Sequence, residues 1–170
     1  MKKILIFVEE IYEDLELWYP KIRLEEEGFH CVIAGPHAEK EYKSKHGYPC
    51  KSHIEFSEAE AEDFDGLIIP GGYAPDKLRR YSKVLDLVRN FHSQGKCIAF
   101  ICHAGWVPIS AKILSGKKAT SVAAIKDDMV NAGVKWEDKE VVVDGNLVSS
   151  RTPTDLPSYC KAIIQVLKNK

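Results

Sequence analysis

The chain has 170 residues, about the size of one domain, and its 24 basic and 25 acidic residues leave a formal net charge of −1. Without a basic surplus it lacks the electrostatic footprint of a nucleic-acid-binding protein, and no apolar run approaches the roughly 20 residues that span a bilayer. We therefore expect one domain over residues 1–170, no nucleic-acid partner, no membrane segment and a cytoplasmic location.

The first half of the chain alternates strand-like and helix-like patterns. Short apolar runs predict strands at residues 3–8, 29–34 and 65–70. Helical patterns are predicted at residues 14–27, 76–81 and 83–93. The apolar side of the first helix is assigned to Leu15, Leu17, Trp18, Ile22 and Leu24. Asp14 is its predicted N-cap and Gly28 its stop. The polar segment 39–57 is expected to be a loop or a short hairpin.

The second half begins with an apolar run at residues 97–101, which predicts a strand buried on both faces of a sheet. A short apolar helix that includes Pro108 is expected to follow. The later predicted strands are 119–122, 134–136, 140–143 and 146–150. The later predicted helices are 125–132 and 153–168, the second capped at Thr154.

Strands that alternate with helices along the whole chain predict an α/β fold, an open and mainly parallel sheet with helices on both faces. In such sheets, functional sites lie beyond the carboxyl ends of the strands. This rule brings together the loops that follow Val8, Pro70 and Ile101.

Cys102 stands where the buried strand turns into a helix. Such an elbow exposes a nucleophile at a helix N-terminus, where the helix dipole favours the reactive thiolate. The alternative is an inert cysteine packed in the core. His103 follows directly, and we expect the two side chains to diverge at the elbow, so that the imidazole need not touch the sulfur.

Two other features fall at the same edge of the sheet. One is the acidic run Glu9, Glu10, Glu13 and Asp14, which is either a solvated helix start or the source of a carboxylic acid beside the cysteine. A protonated acid there would donate a hydrogen bond to a thiolate. The other is the pair Gly71–Gly72, which is either a plain turn or a backbone that holds an oxyanion.

The remaining cysteines and the histidines show no pattern of a metal site or a disulfide framework, since no CxxC pair is present. Cys31 and Cys97 fall in predicted strands and are expected to be buried. Cys160 lies in the last predicted helix, and Cys50 is expected to be an exposed thiol. We expect neither a metal nor a cofactor.

The run Gly-Leu-Ile-Ile-Pro-Gly-Gly-Tyr-Ala-Pro-Asp at residues 66–76 and Ala-Phe-Ile-Cys-His at residues 99–103 resemble the PfpI-type intracellular proteases of the DJ-1 superfamily. Further segments match the same pattern in order, at residues 13–14, 46–48, 125–133 and 148–153. The resemblance covers nearly the whole chain. It implies the flavodoxin-like, class I glutamine amidotransferase-like fold, which agrees with the fold predicted from periodicity.

The resemblance also implies site residues. The family's nucleophile corresponds to Cys102, its neighbouring histidine to His103, and the acid that hydrogen-bonds the cysteine to Glu13. The backbone N–H groups of Gly72 and His103 correspond to its oxyanion donors. An acid from a partner subunit, which orients the histidine, corresponds to Asp76, although Asp76 is alternatively the N-cap of a helix at residues 77–81.

One departure from the family concerns the residues after Cys102–His103, which are Ala104, Gly105 and Trp106 in place of the usual Gly-Pro. A tryptophan at the rim of the pocket would narrow the site or offer a stacking face. This departure bears on the substrate rather than on the identity of the nucleophile.

The family resemblance implies a cysteine-nucleophile hydrolase with two alternative activities. The preferred one is a glyoxalase or deglycase that acts on glyoxal, methylglyoxal or their early protein adducts. The alternative is an intracellular cysteine peptidase acting on a peptide or protein. A third interpretation is a non-catalytic redox or stress sensor whose Cys102 is oxidised. The resemblance further implies a homo-oligomer, either a dimer or a hexamer.

Overall fold

The structure is a computed structural model and describes residues 1–169. Its strands are β1 (Lys3–Phe7), β2 (His30–Gly35), β3 (Glu41–Lys43), β4 (Pro49–Lys51), β5 (Ile54–Glu55), β6 (Gly66–Ile69), β7 (Cys97–Ile101), β8 (Lys118–Ala119), β9 (Lys135–Trp136), β10 (Val141–Asp144) and β11 (Leu147–Ser150). Its α-helices are α1 (Asp14–Glu26), α2 (Ala74–Leu78), α3 (Ser82–Ser93), α4 (Trp106–Ser110), α5 (Lys126–Asn131) and α6 (Leu156–Lys168).

Seven strands form one sheet in the order β10-β11-β7-β6-β1-β2-β5. All neighbours are parallel except β10 and β11, which form an antiparallel pair at one edge. The central strands β6 and β7 are buried at every residue, as expected of continuous apolar runs covered on both faces. The predicted fold class, a mainly parallel α/β sheet, is therefore confirmed.

The order of the strands also explains where a site forms. From β1 the chain passes through α1 to β2 on one side, whereas from β6 it passes through α3 to β7 in the opposite direction. Because such crossovers are right-handed, α1 and α3 cover opposite faces of the sheet. The carboxyl ends of β1, β6 and β7 therefore open onto the crevice where the direction changes.

Most predicted strands are confirmed to within one or two residues, and the segment 39–57 contains the hairpin β3–β4. Several helix ends differ from the prediction. Glu13, rather than Asp14, is the N-cap of α1. The helix α2 starts at Ala74 with Tyr73 as its N-cap, so Asp76 lies in the first turn and is not the cap. Asp155, rather than Thr154, is the N-cap of α6.

The buried face of α1 also differs from the prediction. Leu15 and Ile22 are 54% and 59% exposed, whereas the carboxyl-bearing Glu16 is 0% exposed. The buried positions are Glu16, Leu17, Pro20 and Leu24, which share one side of a helix. A carboxylate that replaces an apolar side chain on the core face of α1 is the first indication of a special environment.

The five cysteines form no disulfide within residues 1–169. Cys31, Cys97 and Cys160 are buried, as predicted for the first two. The prediction for Cys50 is wrong, because its side chain is only 2% exposed beneath the hairpin β3–β4. No helix in the described part of the chain is long and apolar enough to cross a membrane.

Candidate active site

Cys102 lies directly after β7 with a φ of +62°, a left-handed conformation that is strained for a residue with a side chain. The chain then makes a 3₁₀ turn at Cys102–Gly105 before the five-residue helix α4. A helix this short carries little macrodipole, so the predicted stabilisation of a thiolate by the helix N-terminus is weak. The sharp elbow is present, but the chemistry of Cys102 depends on its neighbours.

The turn after β6 needs both of its glycines. Gly72 has a φ of +79°, and a Cβ there would lie 2.5 Å from the backbone nitrogen of Glu13. A Cβ at Gly71 would lie 2.3 Å from Glu16 Oε2 and 2.7 Å from Cys102 Cβ. The turn is held against the loop after β1, since Tyr73 N–H donates to the carbonyl of Ile11 at 2.9 Å. The glycines thus let three loops meet at the sulfur.

The acid beside the sulfur is Glu16. One carboxyl oxygen, Oε2, accepts a hydrogen bond of 2.8 Å from Gly71 N–H. The carboxyl group also forms a side-chain hydrogen bond with Cys102 that affects the titration of both residues. The other oxygen, Oε1, is buried and has no regular hydrogen-bond partner within residues 1–169. A proton shared with the sulfur would satisfy it.

The expected contact between Glu13 and Cys102 is therefore not formed, and Glu16 takes the place of Glu13 beside the sulfur. Glu13 Oε2 instead accepts a hydrogen bond of 3.1 Å from the backbone N–H of Glu16, which makes Glu13 the cap of α1. Glu13 and Glu16 are three residues apart and so occupy the same side of the helix, one turn from each other. Helical spacing from the capping residue was the signal that could have identified Glu16.

Glu16 and Cys102 control each other's charge. Burial, and next the charge of Glu13, raises the pKa of Glu16 to about 8, so most of it is protonated at pH 7. Burial, and next the charge of an ionised Glu16, raises the pKa of the Cys102 thiol to about 12. Because the two groups share one site they titrate as a pair, and these pKa values assign the first proton that the pair loses to Glu16. A thiolate beside a protonated Glu16 is the other form of the pair with the same number of protons.

Backbone donors also face the sulfur. The N–H groups of His103 and Gly72 both hydrogen-bond Cys102 and act to lower the pKa of its thiol. These are the two donors expected of an oxyanion hole. Two backbone donors at the sulfur suit a thiolate or a negatively charged oxygen bound next to it.

His103 does not diverge from the cysteine as expected. Its Nδ1 lies 3.2 Å from Cys102 Sγ, within reach of a hydrogen bond. Burial, and next the positive charge of Lys45, lowers the pKa of His103, which keeps the imidazole neutral at pH 7. A neutral imidazole at this distance can accept the proton of the thiol.

A cavity of about 210 Å³ opens onto the sulfur. It is lined by Glu13, Glu16, Lys45, Gly72, Tyr73, Cys102, His103 and Pro153. Sequence analysis did not single out Lys45, which precedes the segment 46–48 that resembles the family. Within residues 1–169 its ammonium forms no ion pair, so it is a positive charge available to a ligand at the mouth of the cavity.

Asp76 lies away from this cavity in the single chain. Its side chain is 63% exposed and forms an ion pair of 3.2 Å with Arg80, one turn along α2. Among the described residues, the charge that acts on His103 is Lys45 rather than Asp76. The structure of one chain therefore does not bring Asp76 and His103 together.

A second polar cluster adjoins the cavity. Ligand atoms of Glu13, Asp14 and His46 lie within 4.8 Å of one another, which is the spacing of a candidate metal site. The Asp14 carboxylate already has partners, however. It accepts a hydrogen bond from Ser44 Oγ at 2.5 Å, and it lies 2.9 Å from His46 Nδ1. The positive N-terminus of α1 also disfavours a cation there. We interpret the cluster as an anchor that fixes the loop after β3 to α1.

Known proteins are similar to this chain in sequence and in fold. A family model described as the DJ-1/PfpI family matches residues 2–166. The chain is 45% identical over 166 residues to "Deglycase PH1704" of Pyrococcus horikoshii, covering 98% of this chain and 99% of that protein. It is 38% identical over 167 residues to a Bacillus subtilis protein called "Putative cysteine protease YraA", covering 98% and 99%. DJ-1beta of Drosophila melanogaster superposes with a TM-score of 0.92 and 30% identity, over 99% of this chain and 91% of that one.

Proposed function

The chain belongs to the DJ-1/PfpI family, and on that premise we propose that it is a cysteine-dependent enzyme acting on glyoxal, methylglyoxal or their early protein adducts. Cys102 is its nucleophile, and the reaction is a glyoxalase or deglycase conversion to a 2-hydroxy acid. The name deglycase carried by relatives that are 45% identical over almost their whole length supports this substrate class.

The observation that carries the proposal is the buried pair of Glu16 and Cys102 at the base of a small cavity. A cavity of about 210 Å³ admits a compound of three carbons, whereas a folded polypeptide could not reach the half-buried sulfur. Thiol addition to an aldehyde needs a thiolate, donors for the developing oxyanion and a group that moves protons. Each has a candidate within contact of Cys102.

The proposed sequence conserves atoms and electrons. The Cys102 sulfur adds to the aldehyde carbon of methylglyoxal, and the carbonyl oxygen takes a proton to give a hemithioacetal. A proton then moves from that carbon to the neighbouring ketone carbon through an enediol, which oxidises the first carbon and reduces the second. Water cleaves the resulting thioester, releasing lactate and restoring the thiol; glyoxal gives glycolate in the same way. An early amine adduct enters when the sulfur displaces the amine.

In this proposal the residues of the cavity have distinct roles. Glu16, in place of Glu13, donates its hydrogen bond to the sulfur and keeps the thiolate available. The N–H groups of Gly72 and His103 hold the oxyanion. His103, with Nδ1 at 3.2 Å from the sulfur, carries the protons between the carbon atoms and oxygens. Lys45 favours the negative charge of the enediolate and of the carboxylate product.

The alternative is a cysteine peptidase, which the name of the Bacillus subtilis relative favours. Cys102, His103 and the same backbone donors could serve acyl transfer from an extended peptide. The enclosed cavity argues against this activity on folded proteins. A non-catalytic sensor would use the same sulfur without turnover.

The proposal extends to the cellular setting. We propose a single domain over residues 1–170, supported by a family match over residues 2–166. The proposed location is a reducing cytoplasm, because the cysteines of residues 1–169 form no disulfide with one another. We also propose a homo-oligomer, a dimer or a hexamer built from dimers, in which Asp76 reaches His103 of a neighbouring subunit. The exposure of Asp76 in the single chain leaves it available for such a contact.

The test is an assay of the purified protein on methylglyoxal and on a fluorogenic peptide. We expect lactate to form at a rate that Cys102→Ser abolishes, with little or no cleavage of the peptide. Peptide cleavage without lactate would favour the peptidase. An unmodified Cys102 that turns over neither substrate would leave the sensor as the better interpretation.

A further inference from the structure

Trp106 contacts the proposed proton carrier. The centroids of the Trp106 and His103 rings are 5.3 Å apart, with their planes inclined at 60°. Such tilted aromatic contacts are favourable and restrict the rotation of both rings. In this orientation His103 Nδ1 faces Cys102 Sγ at 3.2 Å.

The indole is itself fixed from two other elements. Its Nε1–H donates to Asp128 Oδ2 of α5 at 2.8 Å. The guanidinium of Arg79, the residue that ends α2, lies 5.5 Å from the centre of the ring, the distance of a cation–π contact. Arg79 is tied down in turn, because its Nε donates to Ser110 Oγ of α4 at 2.9 Å.

The backbone under Trp106 has no freedom to move towards α5. A Cβ on Gly105 would lie 2.7 Å from the sulfur of Met129, so the 3₁₀ turn is pressed against that helix. Ala104 in the same turn is fully buried. The indole therefore has a fixed base as well as two fixed contacts at its rim.

No carboxylate within residues 1–169 performs this role. Within residues 1–169, the Asp76 carboxylate pairs with Arg80 on the surface, and the contacts of the His103 ring are Cys102 and Trp106. An imidazole without an orienting partner would populate several rotamers and keep Nδ1 at the sulfur for only part of the time.

We propose that Trp106 is a positioning residue, which holds the His103 ring with Nδ1 towards Cys102 while Asp128 and Arg79 hold the indole. This inference rests on the proposed function only in assigning proton transfer to His103. It gives a physical role to the residue that follows Ala104 and Gly105, where this chain departs from the family's usual Gly-Pro.

The variants separate the ring from its anchor. Trp106→Ala removes the contact with His103, Trp106→Phe keeps an aromatic face but loses the bond to Asp128, and Asp128→Ala removes the anchor alone. Trp136→Phe is the matched control, because that indole also donates a side-chain hydrogen bond through Nε1–H, to Ser121 Oγ at 3.0 Å. It also has a cation, Lys126 Nζ, 5.0 Å from the centre of its ring.

Two readouts are measured against pH, the rate at which iodoacetamide alkylates Cys102 and the kcat and KM for methylglyoxal. The charged or titratable groups that share the cavity with His103 are Cys102, Glu16, Glu13, Lys45 and Tyr73. Beyond the indole they are Arg79 and Asp128. We expect Trp106→Ala to lower kcat about tenfold or more with KM changed less than about threefold, and to shift the pH profile of alkylation. Trp106→Phe keeps an aromatic face and should recover part of the rate, and Asp128→Ala, which keeps the whole indole, should be at least as active as Trp106→Phe.

Equal behaviour of Trp106→Ala and Trp136→Phe in both readouts would overturn the inference. A rise in KM alone would also overturn it, since Trp106 would then be a wall of the substrate site. Failure of the proposed function is recognised separately: if the wild-type protein turns over no methylglyoxal, the alkylation profiles still decide whether Trp106 positions His103. A folded Trp106→Phe or Asp128→Ala variant keeps the test valid if Trp106→Ala does not fold.

Discussion

Glu16 has an environment that few carboxyl groups in proteins have. It is completely buried, and its Oε2 accepts a hydrogen bond from one backbone N–H. Its Oε1 has no regular hydrogen-bond partner within residues 1–169, and its carboxyl group hydrogen-bonds Cys102. Burial of a charged carboxylate with one donor is unfavourable, so the protonated form dominates at neutral pH. In the proposed mechanism, the protonated acid donates a hydrogen bond to the sulfur instead of repelling a thiolate.

The first prediction concerns this donor. Glu16→Gln keeps an N–H that can donate to the sulfur, whereas Glu16→Leu leaves the thiolate with two backbone donors. A hydrogen bond to a charged group contributes about 1.5–3 kcal/mol, so at pH 7 we expect Cys102 to be alkylated about tenfold or more slowly in Glu16→Leu than in Glu16→Gln. The rates are measured with iodoacetamide and mass spectrometry.

Glu13→Leu is the control for that comparison. It removes the cap of α1 but leaves the acid at the sulfur in place, so alkylation should stay within about threefold of the wild type. A larger loss of reactivity in Glu13→Leu than in Glu16→Leu would mean that Glu13, rather than Glu16, is the acid that acts on Cys102.

The second prediction concerns stability and pH. The folded-state pKa of Glu16, about 8, is above the ordinary value of 4.5 for this group, so between these pH values the folded chain binds more protons than the unfolded chain. The free energy of unfolding contributed by Glu16 must therefore fall as pH rises from 4.5 to 8. Urea denaturation at pH 5 and pH 8 should show a loss on the order of 3 kcal/mol that is absent from Glu16→Gln. A wild-type loss equal to that of Glu16→Gln would mean that Glu16 titrates normally.

At the scale of elements, the site depends on how closely two loops approach. The turn after β6 and the loop after β1 share backbone hydrogen bonds, including Glu13 N–H to the carbonyl of Gly71 at 3.1 Å. Cys102 enters from β7 between them, with its Cβ within 2.7 Å of where a Cβ on Gly71 would lie. There is no space for a side chain at this crossing.

The third prediction separates crowding from backbone strain. Gly72 and Gly116 have nearly the same φ, +79° and +76°, but a Cβ at Gly116 meets no atom within 4 Å. Gly116→Ala should cost about 1–2 kcal/mol of unfolding free energy and leave activity intact. Gly72→Ala should cost more and should abolish turnover, because the new methyl group pushes away the loop that carries Glu13. Equal losses of unfolding free energy in urea denaturation, with activity kept in both variants, would show that the loops after β1 and β6 are not closely packed at Gly72.

Hydrophobic periodicity predicts an element correctly when the burial of its residues follows from its own sequence. It fails when burial depends on residues far away in the chain. The strands β1, β6 and β7 were predictable because apolar residues on both faces fit only the centre of a sheet. The face of α1 was not, since a pattern that places charges outside assigns Glu16 to solvent. Its burial depends on Gly71 and Cys102, which lie 55 and 86 positions further along the chain.

The site could be predicted only in part, because some of its contacts also depend on residues that are distant in the sequence. The elbow at Cys102 and the glycine pair follow from strand ends that a parallel sheet must bring together. Lys45 was missed because it lies in the loop of the hairpin β3–β4, which forms a separate two-stranded sheet. The contact between His103 and the sulfur was missed because the left-handed φ of Cys102, which redirects both side chains, is a tertiary constraint.

At the scale of the whole molecule, the fourth prediction concerns assembly. If Asp76 orients His103 of a neighbouring subunit, specific activity should fall on dilution below the dissociation constant of the oligomer. Asp76→Ala should lower turnover several-fold while alkylation of Cys102 changes little. The matched control is Asp86→Ala, which removes a similarly exposed ion pair, that of Asp86 with Arg89 at 2.7 Å.

Sedimentation velocity provides the independent measurement for the assembly prediction. A monomer that is fully active at every concentration would contradict the shared site. In that case Asp76 would be only a surface partner of Arg80.

The four buried cysteines allow local unfolding to be measured at four places in the chain. They stand in different places, Cys50 in the small hairpin β3–β4, Cys31 in β2, Cys97 at the centre of the large sheet and Cys160 in α6, and each is at most 2% exposed. A thiol reagent reaches such a side chain only when its surroundings open, so each labelling rate reports a local unfolding free energy. We expect Cys50 to react first and Cys97 last, at rates read by mass spectrometry in the unmodified protein. The labelling rates measured with and without a ligand in the cavity would show which elements change in local stability when a ligand binds at the end of β7.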